Sequence, residues 1–251
     1  MPSALFIAVL GVSAVVTSFV SGILGMAGGM ILMGILLAMM PVPAAMMLHG
    51  VTQLASNAWR AIMWRRSVDW RVFRGYALGA LACLAAFATV QFVVSKPIAL
   101  VVMGLTPFLT LVLPEKLHLN VERRGHSFAC GVVCSVLSLT AGVSGPILDV
   151  FFVRSKMGRQ AVIASKAMTQ SFSHLLKIAY FGGLIRLDGG SVDPALGAMM
   201  VVLAIVGTSL SRTVLDRMSD EAFRLWTRRT VMSLGLFYLG SGIVMLVQGA
   251  R

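Results

Sequence analysis

Long apolar segments alternate with short polar connections along most of the chain. The longest match the roughly 20 helical residues that cross a membrane, and they are too uniformly apolar for the strands of a membrane β-barrel. At roughly 20 residues per crossing plus loops, the chain has room for about eight hydrophobic helical segments. The pattern predicts an all-α integral membrane protein with apolar runs at residues 4–22, 30–40, 44–64, 72–94, 98–113, 128–141, 147–153, 161–184, 194–210 and 230–247.

The two halves of the chain resemble each other at a shift of 117 residues, which carries Gly25 onto Gly142 and Gly28 onto Gly145. Matches between polar residues are the strongest part of this similarity because polar residues are scarce in these segments. The shift superposes Thr52 on Thr169, Gln53 on Gln170 and Ser56 on Ser173. We therefore predict two homologous repeats, over residues 1–113 and 127–251, joined by a polar loop at 114–126.

Composition excludes an ordinary soluble domain. Hydrophobic residues make up 58% of the chain and charged residues 12%, whereas roughly a quarter of a globular domain is charged. The net charge of +12 comes from 21 Lys and Arg against nine Asp and Glu. We interpret this excess as loop charge beside anionic lipid headgroups rather than as a nucleic-acid-binding surface. Three cysteines lie in apolar runs and are expected to be packing residues: Cys83, Cys130 and Cys134.

The positions of Lys and Arg predict the orientation of the repeats. If each glycine break is the turn of a re-entrant hairpin, each repeat crosses the membrane three times and the repeats are inverted. If the broken segments span the membrane, the repeats are parallel and the basic groups at 154–159 and 212–229 face outward. The positive-inside tendency favours inverted repeats in a cytoplasmic (inner) membrane, with both termini outside. The cytoplasmic side then carries Arg65, Arg66, Arg71, Arg74, Lys116, Arg123, Arg124, Arg154, Lys156, Arg159, Arg212, Arg217, Arg224, Arg228 and Arg229, and the outside Lys96, Arg186 and Arg251.

A glycine-rich break interrupts the first apolar region of each repeat. Glycine costs about 1 kcal/mol and proline about 3 kcal/mol inside a helix, so both clusters predict interrupted helices at mid-membrane. The freed backbone groups must line a polar cavity, and the restarting helices point positive N-termini into it, which predicts an anion site. Close helix packing is the alternative use of these glycines. The candidate residues are Gly25, Gly28, Gly29, Gly142, Ser144 and Gly145.

A polar stripe follows each break, on one face of the next helix. Such a stripe faces the bundle interior or water, where it either contacts a ligand or supplies hydrogen bonds between helices. The stripes consist of His49, Gln53, Ser56, Asn57 and Arg60 in the first repeat and of Lys166, Gln170, Ser173, His174 and Lys177 in the second, with Thr52 and Thr169 beside them.

The stripe residues differ in the roles that we expect of them. Ligand contact is favoured for Gln53, Asn57, Gln170 and His174. Ligand contact and interhelical bonding are equally open for Thr52, Ser56, Thr169 and Ser173. Lys166 is expected either to be a counter-ion for the substrate or to extend to the membrane interface, and Arg60 and Lys177 are expected to reach the cytoplasmic headgroups.

Proton coupling has three candidates. His49 and His174 are imidazoles whose usual titration range is near neutral pH. Asp149 is a rare acid inside an apolar run, and a structural pair with Lys166 is as open as a proton-carrying role. We expect no metal ion and no other cofactor.

The motif Gly25-Met-Ala-Gly28-Gly29, the helix with Thr52-Gln53 and Ser56-Asn57, and Asp69-Trp70 resemble the sulfite exporter TauE/SafE family, also called the toluene sulfonate uptake permeases. The resemblance covers nearly the whole chain. It implies a cytoplasmic-membrane permease for small anions, mostly sulfite, sulfoacetate and other organosulfonates. In the second repeat Pro146 replaces a glycine and His174 stands where the first has Asn57, which predicts an asymmetric site.

These observations together predict a secondary transporter, an exporter of a small sulfur-containing anion with its site between the repeats near the midplane. A passive anion channel and a permease for a non-sulfur carboxylate are the alternatives. An enzyme is disfavoured because intramembrane carboxylates are nearly absent. No nucleotide-binding motif is present, so energy must come from a proton or sodium gradient, the membrane potential or the substrate gradient. Expected partners are the anion, the bilayer, a coupling ion and further copies of the chain.

Overall fold

The computed structural model describes residues 3–112, 119–184, 192–215 and 217–249. The predicted loop cations Lys116, Arg186 and Arg251 and the side chain of Arg224 lie outside this description. Within these ranges the chain is helical and forms no strand. The helices are α1 (Ala4–Leu24), α2 (Ala27–Met39), α3 (Val42–Met63), α4 (Trp70–Val90), α5 (Lys96–Val112), α6 (His126–Thr140), α7 (Gly145–Phe152), α8 (Arg159–Ala179), α9 (Pro194–Leu215) and α10 (Asp220–Gly249).

The helices coincide with the predicted apolar runs except at some of their ends. Helix α9 ends at Leu215 and not near residue 210. Helix α10 begins at Asp220 and not near residue 230, because a helix that extends beyond the apolar layer carries charged residues in its first turns. Helix α8 ends at Ala179, and Tyr180–Leu184 forms a π-helical turn instead of continuing it.

Among the described residues, four helices are long and apolar enough to cross a membrane: Ala4–Leu24, Trp70–Val90, Pro194–Val214 and Glu221–Gly249. Their outer surfaces carry large exposed apolar side chains, such as Leu5 at 74% and Leu236 at 62% exposed. Water disfavours such a surface and lipid does not. The chain is therefore an integral membrane protein.

Helices α3 and α8 lie against each other at the centre of the bundle. His49 in α3 contacts Lys177 near the end of α8, whereas the N–H of Asp69, just after α3, donates to Ser165 near the start of α8. The two helices are therefore antiparallel. Around them α1 packs on α9, α4 on α6 and α5 on α10.

Two aspartates fix the starts of outer helices α4 and α9. Asp69 caps α4 by accepting the N–H groups of Arg71 and Val72 at 2.9 and 3.0 Å, and Asp193 accepts the N–H of Ala195 at 2.8 Å at the start of α9. Such caps satisfy amides that have no partner inside the helix. The Asp69-Trp70 motif thus has a structural role at the entry to α4.

Glycine allows α4 and α6 to touch through their backbones. A Cβ atom on Gly79 would lie 2.1 Å from the Phe128 carbonyl oxygen, and one on Gly131 would lie 2.1 Å from that of Tyr76. The thiols of Cys130 and Cys134 lie 3.9 Å apart in the same interface, fully buried and free. This arrangement is the close packing through small residues that membrane helices use.

Candidate functional site

Both glycine clusters interrupt a helix. Helix α1 ends at Leu24, and Gly25 adopts a φ of 70° before α2 begins at Ala27. Helix α6 ends at Thr140, and Gly142 adopts a φ of 77° before α7 begins at Gly145. A residue with a side chain is strained at such a positive φ. The interruptions lie at the predicted glycines.

A small cavity, here called the inner pocket, lies where the two breaks meet. Its volume of about 20 Å³ is close to the space that one water molecule needs. The N-terminal residues of α2 and α7 contribute to its wall. The residues that line it are Gly25, Met26, Gly29, Met30, His49, Gln53, Asn57, Arg60, Val143, Ser144, Gly145, Gln170 and His174.

Several hydrogen-bonding atoms in the wall of the inner pocket have no partner. Gln53 and His174 are 4% and 8% exposed, and Gln53 Nε2, His174 Nδ1 and Arg60 Nε are buried without a hydrogen bond. A buried polar group costs free energy unless it is bonded. Unsatisfied polar atoms in the wall of one cavity make it a candidate ligand site, and these residues come from α3 and α8.

Neighbouring polar groups hold Arg60 at the inner pocket. Its Nη2 donates to Asn57 Oδ1 at 2.6 Å and its Nη1 donates to the Ser21 carbonyl at 3.4 Å. Asn57 in turn donates from Nδ2 to the Gln53 carbonyl at 2.8 Å. The prediction that Arg60 extends to the headgroups is wrong, because the guanidinium bonds to the end of α1 beside the first break.

Lys177 and His49 form a second buried cluster. Lys177 is 0% exposed, and its Nζ lies 2.6 Å from His49 Nδ1 and donates to the Gly142 carbonyl at 3.0 Å. His49 Nε2 lies 2.9 Å from the Gly29 carbonyl. Since a carbonyl only accepts, His49 carries its proton on Nε2 and accepts from Lys177 at Nδ1. The prediction that Lys177 reaches the headgroups is therefore wrong.

This cluster, here called the Lys177 bridge, links the two broken regions. Its hydrogen bonds run from Gly29 in α2 through His49 to Lys177 and on to Gly142 in the second break. The imidazole of His49 also lies edge-on to that of His174, with ring centroids 5.5 Å apart. A single chain of polar groups therefore joins both breaks and both stripe helices.

The hydroxyl groups of the stripes are engaged in helix contacts and do not line the inner pocket. Ser56 and Thr208 share a hydrogen bond of 2.7 Å between α3 and α9, and Ser173 and Tyr76 share one of 2.6 Å between α8 and α4. Thr52 donates to the Leu48 carbonyl and Thr169 donates to the Lys166 carbonyl, each within its own helix. We therefore leave these four hydroxyls out of the proposed ligand set.

Gly28 also lies outside the inner pocket. A Cβ atom there would lie 1.9 Å from the Thr17 carbonyl oxygen, so this glycine brings α2 against α1. Of the other predicted break residues, Gly142 contributes its carbonyl to the Lys177 bridge, and Gly25, Gly29, Ser144 and Gly145 line the inner pocket.

A larger cavity of about 570 Å³, here called the vestibule, adjoins the inner pocket. It lies at the end of α3 and the start of α8, beside Trp64 and Arg159. Gly25, Met26, Arg60 and Gln170 line both cavities, so they form the junction. The remaining wall consists of Gly22, Ile23, Met63, Trp64, Asp149, Phe152, Val153, Ser155, Met157, Arg159, Val162, Ile163, Lys166, Ala167, Thr208, Ser211, Arg212 and Phe223.

Lys166 and Asp149 form a salt bridge in the vestibule wall. Their side chains are 27% and 36% exposed, so the pair faces the cavity and not the protein core. The positive charge of Lys166 is therefore balanced by a neighbour.

No group of three or more residues that could hold a metal ion occurs in the described part of the chain.

Sequence reasoning missed two cations of this site, Arg60 and Lys177. A signal for both was present, because the 117-residue shift places Arg60 on Lys177. A basic residue at the same position of both stripes indicates that both side chains point inward. The prediction went the other way because each residue lies near the end of its helix.

Comparison with known proteins finds one family match. The family model described as sulfite exporter TauE/SafE matches residues 10–245. No curated protein and no solved structure matches the chain. Because the match spans both breaks and both stripe helices, the chain belongs to the sulfite exporter TauE/SafE family.

Proposed function

We propose that this protein is a secondary transporter that exports a small sulfur-containing oxyanion across the cytoplasmic membrane. The observation that carries the proposal is the inner pocket, where both helix breaks meet the unpartnered atoms Gln53 Nε2, His174 Nδ1 and Arg60 Nε. Family membership supports transport of sulfite or a related anion. In this proposal the anion binds at the junction of the inner pocket and the vestibule.

The chemistry of the junction suits an anion with several oxygens. The inner pocket is lined by amide, imidazole and guanidinium groups, and no carboxylate is among its described lining residues. The restarting helices α2 and α7 add backbone N–H groups and the positive ends of their dipoles. Hydrogen bonds to a charged acceptor are worth about 1.5–3 kcal/mol each, so a few of them hold a small oxyanion.

Two inverted repeats account for the arrangement of helices. The antiparallel contact of α3 with α8 pairs equivalent elements, as does that of α5 with α10. The contacts α1–α9 and α4–α6 exchange under the 117-residue shift, which relates α1 to α6 and α4 to α9. A two-fold axis in the membrane plane has these properties, and parallel repeats do not.

In this proposal the vestibule and the Lys177 bridge are the two gates of alternating access. The vestibule opens beside Arg159, Arg212 and the end of α3, which are on the cytoplasmic side under the positive-inside tendency. The Lys177 bridge closes the route on the other side of the junction. We propose that this is the inward-facing state, and that rocking of one repeat against the other opens the bridge and closes the vestibule.

The three candidates for proton coupling differ in their position relative to the substrate route. Asp149 is paired with Lys166 in the wall of the vestibule. His49 is committed to the Lys177 bridge, and His174 has a free Nδ1 in the inner pocket. His174 and Asp149 are the better-placed carriers, because both adjoin the substrate route.

The test is flux of radiolabelled sulfite into proteoliposomes that contain the purified protein. Saturable flux that depends on a proton or sodium gradient supports a coupled transporter, whereas flux that stays linear with concentration identifies a channel. Absence of flux of sulfite, sulfoacetate and methanesulfonate, with flux of a carboxylate, would overturn the sulfur-anion assignment.

The binding site is tested with Gln53→Ala, Gln170→Ala and the double variant. Each lost amide should weaken sulfite binding about tenfold, because a hydrogen bond to a charged ligand is worth about 1.5 kcal/mol or more. Ser56→Ala is the matched control on the same helix face. Unchanged affinity in a folded double variant contradicts the proposed site.

A further inference from the structure

The charge environment of the anion route differs between its two cavities. Arg60 is the only Lys, Arg, Asp or Glu among the described residues that line the inner pocket. In the vestibule Lys166 is neutralised by Asp149, and Lys177 is enclosed in its bridge. Arg159 and Arg212 also line the vestibule, but among the described residues Arg60 is the one charged residue that lines both cavities.

The partners of Arg60 leave its charge uncompensated. Its two hydrogen bonds to described residues go to neutral acceptors, an amide oxygen of Asn57 and the carbonyl of Ser21 at 3.4 Å. Its Nε is buried and has no hydrogen-bond partner. A cation inside a membrane protein is costly unless a counter-charge accompanies it, and the transported anion supplies that charge.

We propose that Arg60 is the charge-selecting residue of this transporter and that it binds two oxygens of the sulfur oxyanion through its guanidinium fork. Guanidinium presents parallel donors that match two oxygens on one central atom, which ammonium does not. The free Nε–H supplies one donor, and the neighbouring Nη2, which has two N–H groups and one hydrogen bond to Asn57, supplies the parallel one. Gln170, which also lines both cavities, supplies a neutral donor. This inference rests on the proposed transport of sulfur oxyanions.

In this proposal Arg60 makes the site select anions over neutral molecules of similar shape. Methanesulfonate and dimethyl sulfone have similar volumes, but only the first has a charge for the guanidinium. In the wild type the anion gains a charge-assisted hydrogen-bond pair, and the sulfone does not compensate the buried cation. Preference for the anion should therefore depend on residue 60.

The experiment measures equilibrium binding of sulfite, methanesulfonate and dimethyl sulfone to the purified full-length protein, for the wild type, Arg60→Gln, Arg60→Lys and Arg65→Gln. Arg60→Gln should weaken binding of both anions about 100-fold and abolish their preference over the sulfone, since a buried charged contact is worth about 2–5 kcal/mol. Arg60→Lys keeps the charge and loses the fork, and should weaken binding about tenfold. Arg65→Gln makes the same change in net charge at an exposed residue outside both cavities, and should leave affinity unchanged.

The outcomes separate this inference from the proposed function. Absence of anion binding to the wild type overturns the function itself. If the wild type and Arg60→Gln bind the anions with equal affinity, the role of Arg60 is overturned and the proposed function stands. If Arg60→Gln and Arg65→Gln lose affinity equally, the effect comes from net charge and the specific role of Arg60 is overturned. If Arg60→Gln does not fold, folded Arg60→Lys decides, because unchanged affinity there excludes the fork.

Discussion

The two ends of the α3–α8 pair carry residues at matched positions in opposite environments. At one end Lys177 is fully buried and bonded to His49. The 117-residue shift relates these two residues to Arg60 and Lys166, which line the open vestibule at the other end. We interpret the difference as the conformational state of a duplicated fold, in which one end is closed while the other is open. Matched positions therefore need not have matched burial in a single state.

The largest expected effect separates the two lysines. Lys177→Met should reduce sulfite flux more than about tenfold, because it leaves two buried acceptors, His49 Nδ1 and the Gly142 carbonyl, without a donor. Lys166→Met should change flux less than about twofold, because partly exposed salt bridges contribute roughly 0–1 kcal/mol. The measurement is initial flux in proteoliposomes at matched protein content. Equal losses in the two variants would remove the distinction between closed and open ends.

The two positive-φ glycines provide a smaller contrast. Gly25→Ala should cost about 1–2 kcal/mol of unfolding free energy from backbone strain alone, since a Cβ there has no atom within 4 Å. Gly142→Ala should cost roughly 1–3 kcal/mol more, because its Cβ would lie 2.6 Å from Met33 Sδ. Thermal unfolding in detergent measures both. A Gly142→Ala protein as stable as Gly25→Ala contradicts tight packing at the closed end.

The smallest effects should be alike at the two ends. Ser56→Ala and Ser173→Ala each remove one interhelical hydrogen bond, and such bonds contribute about 0.6 kcal/mol on average between membrane helices. Both should lower the unfolding temperature slightly and leave sulfite affinity unchanged. A loss of affinity in either variant would return that hydroxyl to the ligand set.

The pattern of the stripes predicted which helix faces turn inward but not which residues reach the inner pocket. Gln53 and Ser56 belong to one stripe, yet Gln53 lines the pocket and Ser56 bonds to Thr208. The residue opposite each side chain comes from a helix far away in the chain, so local spacing has no information about it. For this reason the sequence alone does not decide whether the stripe hydroxyls contact a ligand or bond to another helix.

The sequence by itself determined the helical membrane class, the family and the places where helices must break. Each of these depends on local quantities, namely the length of apolar runs and the cost of glycine in a helix. Only the tertiary structure decided that Lys177 is enclosed, that Asp149 balances Lys166 and that Arg60 is the one charged residue among the described residues that line the inner pocket. The environment of a charge depends on the groups that folding brings within a few ångströms of it, and these groups come from distant parts of the chain.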